Sequence, residues 1–140
     1  MTAVPAPPSP ARVLLARIAV SIAFFVIGAG NGIWAVHIPL VREALGINAQ
    51  ILGYGFFTLA AGAVIGMPIT AALIARFGSR LPTAAFVLAY AVVLPGPMVA
   101  GSVPLFFAAL FAFGFAMGAS DVAANVQASE VETARGRPTM

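Results

Sequence analysis

Charged residues cut this sequence into long apolar runs. None falls between Ile18 and Val41, between Ile51 and Ala75, or between Leu81 and Ser120. A membrane-spanning helix needs about 20 apolar residues, so each of the first two runs predicts one span. The third, at 40 residues, would overshoot a bilayer of about 30 Å at 1.5 Å per residue and must fold back. Its breakers are "PGP" at 95–97 and "GSVP" at 101–104. The turn is therefore expected at Gly101–Pro104, with Pro104 at the first position of the next helix and a kink near Pro95. Four spans follow, at about 18–41, 51–75, 82–100 and 105–129. The proline-rich opening, residues 1–11, reads as a disordered cytoplasmic tail, and residues 12–140 as one helical bundle. The first run is too long for a signal-peptide core of about 7–15 residues.

Composition sharpens this into an all-α membrane protein. The chain is 61% hydrophobic and 8% charged, with mean hydropathy +1.04, which is unlike any soluble domain. All seven cations are arginines scattered between apolar runs. They act as topology signals rather than as a nucleic-acid patch. With four spans, Arg12, Arg17, Arg76, Arg80, Arg135 and Arg137 share one side and Arg42 lies alone on the other. That bias places both termini in the cytoplasm. In "ARFGSR", at 75–80, Arg76 and Arg80 hold a tight turn, and Gly78 lets the chain reverse between them. Asn48 is the expected N-cap of the second span.

The same loop carries a resemblance. "ALIARFGSR" and the alanine before it resemble the signature that transporters of the major facilitator superfamily carry between helices 2 and 3. Leu73, Arg76, Gly78 and Arg80 stand in matching places, while Ala71, Ala75 and Ser79 replace the glycine, the aspartate and the first of two basic residues. "NGIWAVHIPLVREALGI" and "GASDVAANVQA" are similar to the ends of helices 1 and 4 in bacterial permeases of that superfamily. The arginine of a second signature, in helix 4, is absent: its place is taken by Leu110. The resemblance implies the first four helices of a twelve-helix secondary transporter. It also implies alternating access, a bacterial inner-membrane location, a small-molecule solute, and the remaining helices as partners beside the lipid. The loop would then clamp the cytoplasmic helix ends, and helices 1 and 4 would line the central cavity with helix 3 outside.

Within the spans few residues carry chemistry. In "GAGNGIW", Asn31 sits among three glycines at mid-span with Trp34 one turn on. The pair are either solute contacts or helix-packing devices. His37, the single histidine, could sense pH or bind solute, or simply be hydrated at the interface. Asp121 is the one acid inside a predicted span. With Asn125 and Ser129 it forms a polar stripe on one helix face, lining a cavity, or else reaching the interface to pair with an arginine. Gly62-x-x-x-Gly66 and Gly114-x-x-x-Gly118 offer small ridges for close packing. Span 3, with Thr83 and Tyr90 as nearly its only polar groups, is expected to face lipid.

No metal-ligand cluster, phosphate loop or nucleophile motif appears, and the lack of cysteine excludes thiolate chemistry. The expectation is a non-enzyme without cofactor or metal. Two rival readings are a complete four-span exporter and a non-transporting scaffold subunit. The exporter would need a glutamate within span 1, which has none. The small-residue and polar faces left over predict a fragment unable to transport by itself.

Overall fold

The computed structural model describes residues 10–135, and the side chains of residue 11 and of residues 13–133. It contains four long helices: α1 (Pro10–Ala44), α2 (Ala49–Phe77), α3 (Arg80–Val93) and α4 (Val103–Arg135). A 3-10 turn, Gly96–Met98, follows α3. α1, α2, α4 and the stretch from α3 through the turn (Arg80–Met98) are long and apolar enough to cross a membrane, so the chain is an all-α membrane protein.

Local chemistry sets the boundaries. α1 ends because Gly46 takes φ +63°, which brings its N–H to Glu43 O and the Ile47 N–H to Arg42 O, both at 3.1 Å. That is a Schellman closure. Asn48 caps α2, accepting from the Ile51 N–H at 2.9 Å, as its sequence position suggests. Gly78, at φ +77°, closes the far end with its N–H on Ile74 O at 2.8 Å.

Three boundaries differ from the sequence reading. Pro10 and Ala11 are already helical; the rest of the expected tail lies outside the described residues. α3 stops at Val93 rather than bending at Pro95. Pro95 instead accepts from the Met98 N–H at 2.9 Å and starts the 3-10 turn. α4 begins at Val103, which puts Pro104 second, still within the first turn where its missing N–H costs nothing.

α4 is the hub. It packs most intimately against α2, then against α3 and α1, whereas α1 and α2 hardly meet. The two glycine ridges interlock. A Cβ on Gly114 would lie 2.0 Å from Leu59 O, on Gly118 2.5 Å from Ala63 O, on Gly62 2.2 Å from Phe111 O, and on Gly66 2.5 Å from Phe115 O. Only glycine admits backbones this close, and close approach is what holds membrane helices together.

α3 faces lipid with one side alone. Leu81, Leu88 and Val92 are exposed, while Pro82, Thr83 and Tyr90 are buried. The correction follows from hydrogen bonding. Thr83 donates to Ser79 O in its own helix and, turned inward, also reaches Ala123 O of α4, a contact that lipid could not offer.

Candidate functional site

The interior is built on aromatic rings between α1, α3 and α4. Trp34 is 6% exposed, with ring centroids 6.4 Å from Phe106 and 6.1 Å from Phe113. Tyr90 lies 5.3 Å from Phe113. Trp34 thus packs in the core behind the glycine-rich stretch of α1 rather than lining open space.

Tyr90 is the residue that the sequence concealed. Fully buried, its hydroxyl stands 2.9 Å from Ile27 O and 2.8 Å from the side-chain amide of Asn31. Gly30 makes the room, because a Cβ there would sit 2.5 Å from that hydroxyl. Gly28 and Gly32 have no neighbour within 4 Å of the same point. Packing therefore explains one glycine of the three. Asn31 does bridge two helices, yet it remains exposed on its other side.

Contacts fix the heights. Val20 clusters with Ala128 and Val131, Ala23 and Ile27 with Ala124, and Trp34 with Phe113. The antiparallel pairing of α1 and α4 therefore brings Ile27 and Gly28 level with Ser120 and Asp121, about one helical turn from Asn31. Tyr90 lies ten residues along α3 from Arg80, about 15 Å from the loop, or half a bilayer core.

Helical spacing gives the directions. On α4, Asp121 falls between the stripe that meets α1 (Phe113, Ala124) and the stripe that meets α2 (Gly114, Gly118). Because α1 and α2 hardly meet, Asp121 faces the gap or cleft between them, while Asn125 falls in line with Gly114 and Gly118, further along the α2 stripe. Asp121 is half-buried and Asn125 exposed, with Asn125 Nδ2 donating to Asp121 O at 2.8 Å. Among the described residues no hydrogen bond or ion pair reaches the Asp121 carboxylate. The neighbouring Ser120 is fully buried with its Oγ unpartnered.

His37 stands apart. Its Nδ1 lies 2.7 Å from Ile33 O, and six residues along α1 turn it about 120° away from Asn31. A separate groove of about 940 Å³ runs between α1 and α3. Its lining is aliphatic except for Arg80, Thr83 and Gln127, and it holds none of Asn31, Trp34, His37, Asp121 and Asn125. Among the described residues no group of three His, Asp or Glu side chains could hold a metal ion.

Comparison with known proteins gives this arrangement its context. Over 127 residues, 89% of its length, the chain is 36% identical to an MFS-type transporter of Yersinia pestis, covering 32% of that protein. It is 34% identical over 121 residues to the transporter y4wD of Sinorhizobium fredii, covering 86% of this chain and 32% of the relative. With the membrane protein MosC of Rhizobium meliloti the identity is 33% over 114 residues, 81% and 28% of the two chains. The chain belongs to the MFS-type transporters. It spans about a third of the length of the curated relatives it matches. No protein-family model and no solved structure matches it significantly.

In this MFS-type chain the loop between α2 and α3 meets the end of α4. Ser79, 3% exposed, donates its hydroxyl to Glu130 Oε2 at 2.5 Å. Leu73 is half-buried, whereas Arg76 and Arg80 are exposed. The Arg76 guanidinium rides 5.4 Å from the centre of the Phe77 ring, within cation–π range. The position where the superfamily signature has a cation thus ties the loop to α4 through a hydroxyl. The start of α1, the loop and the end of α4 lie at one end of the bundle. Arg17, Arg76 and Arg80 are gathered there, with Arg42 at the other.

Proposed function

We propose that the chain supplies the first four helices of a secondary transporter that moves a small solute by alternating access, with Asn31, Asp121 and Asn125 on the wall of the central cavity. One observation carries the reading. Near mid-span α4 carries the half-buried carboxylate of Asp121, which no described hydrogen bond or ion pair satisfies, with the exposed Asn31 and Asn125 as the other polar groups of the stretch. Uncompensated polar groups in hydrocarbon cost several kcal/mol each, so the cleft is built to be wet and to be covered by further helices. A scaffold would have no use for the carboxylate, and a complete four-helix exporter would bury it. Arg76 and Arg80 in the short loop set both termini on the cytoplasmic side of the bacterial inner membrane. The remaining transporter helices are the partners of this unit, and neither nucleic acid nor a cofactor has a place in it.

A cysteine panel tests sidedness and wetting together, since the chain has no cysteine of its own. In intact cells Ser102→Cys is expected to react with an impermeant thiol reagent and Thr133→Cys to react only after lysis. In open membranes Asn31→Cys and Asn125→Cys should react with a charged thiol reagent, and the exposed, apolar position Leu88→Cys should not. Reversed sidedness would overturn the orientation. Cleft positions as inert as Leu88→Cys would overturn the cavity.

A further inference from the structure

The groove between α1 and α3 is aliphatic along its length and basic at one end. Its walls run from Leu15 to Val26 on α1 and from Arg80 to Ala91 on α3, about 16 Å of helix on each side. That is close to half of a hydrocarbon core of about 30 Å. The inner end lies at mid-span, where Tyr90 bridges α3 to Ile27 O and Asn31 of α1. Thr83 already gives its hydroxyl to Ser79 O and Ala123 O. The open polar groups of the lining are therefore Gln127, whose neighbour Ala128 packs with Val20, and Arg80 at the loop end. Arg80 is exposed, and among the described residues no hydrogen bond or ion pair engages it. A smaller groove of about 440 Å³ runs along α1 from Leu14 to Phe25, with Arg17 and Ser21 in its lining. Ile22 lines both grooves, so the two lie on either side of one ridge.

We propose that the groove between α1 and α3 is a site for an acidic phospholipid of the loop-side leaflet, with an acyl chain along the aliphatic walls and the phosphate at Arg80. Depth and charge both select this occupant. An acyl chain enters from the headgroup level and ends at the midplane, as the groove does. A transmembrane helix would run the full hydrocarbon thickness, about twice the length of these walls. Basic pockets between membrane helices attract acidic headgroups, and a guanidinium matches the geometry of phosphate oxygens. A zwitterionic lipid has the same chains but brings its own cation toward Arg80. The smaller groove beside Ile22 gives a second chain its place, and Arg17 adds positive charge on the same side of the bilayer. The lipid ties α1 to α3 on the loop side of the Tyr90 bridge.

Quenching by brominated lipids tests the site in the 140-residue chain, reconstituted in phosphatidylcholine bilayers. Trp34→Phe removes the single native tryptophan. In that background Leu88→Trp puts a reporter in the groove lining, and Phe57→Trp puts a control at an exposed position of α2 outside both grooves. At equal low mole fraction, brominated phosphatidylglycerol should quench Leu88→Trp about fivefold more effectively than brominated phosphatidylcholine, the scale of one arginine's attraction to acidic lipid. Phe57→Trp should show no such preference. Arg80→Gln should remove the preference at Leu88→Trp and Arg80→Lys should keep most of it. Arg76→Gln, outside both linings, should leave it unchanged. Equal quenching by the two lipids at Leu88→Trp, the same preference at Phe57→Trp, or a preference that survives Arg80→Gln would each overturn the proposal. So would a Leu88→Trp that neither lipid quenches, which is the result expected of a groove filled by a protein helix.

Discussion

Gly114→Val is expected to unfold the bundle. Its Cβ would fall 2.0 Å from Leu59 O, 2.7 Å from Leu59 C and 2.9 Å from Leu59 Cα. These are backbone atoms in the middle of α2, so no side chain can move aside. Relief requires α2 and α4 to separate, which also breaks the reciprocal fits of Gly62, Gly66 and Gly118. Overpacking a well-fitted core costs about 1–3 kcal/mol, and a backbone clash belongs at or above the top of that range. Gly28→Ala is the control. The added methyl meets nothing within 4 Å, and alanine favours the helix by about 1 kcal/mol in an ordinary setting. Unfolding of the purified chain by SDS, followed through Trp34 fluorescence, should shift strongly to lower detergent for Gly114→Val and little for Gly28→Ala. Equal midpoints for the two variants would show that α2 and α4 are not packed in this way.

Asp121→Asn, placed in a transport-competent protein, is expected to cut solute uptake at least tenfold while its level in the membrane stays within about twofold of the parent. An aspartate at the centre of a span costs about 2.5–3.5 kcal/mol on insertion scales. The neutral amide is nearly the same size, so insertion should improve slightly. The carboxylate has no hydrogen-bond or ion-pair partner among the described residues, so removing it leaves no described charge uncompensated. A structural role would show in folding, whereas a role in solute or ion handling shows in transport alone. Uptake assays alongside membrane quantification separate the two. Normal uptake across the pH range would make Asp121 incidental.

The spans were legible because hydrophobic length is a strong signal and the arginines punctuate it. The helix ends at Asn48 and Gly78 were legible because each residue does one local job. The interlocking of the two glycine ridges was half legible: each ridge could be seen, but nothing in one segment names its partner in another. Tyr90 was misread with the rest of α3. A lone polar residue in an apolar helix has no period of its own, and which way it points depends on the vacancy that Gly30 leaves on a helix sixty residues away. Its spacing to Asn31 left Trp34 open between solute contact and packing, because the phenylalanines that enclose it lie on α4. Ser79 and Glu130 illustrate the same limit. Both were visible as polar residues near helix ends, and only the fold brings them to one hydrogen bond.

The central claim, that this chain is one part of a transporter cavity, is tested most directly by solute uptake. The 140-residue chain is purified, reconstituted in liposomes and assayed for uptake and counterflow across a panel of small solutes. Alongside it runs a chimaera in which the chain replaces the matching 127 residues of the Yersinia pestis relative. Uptake by the chimaera, with none above empty liposomes for the 140-residue chain, is the predicted result. Saturable uptake by the 140-residue chain alone would contradict it.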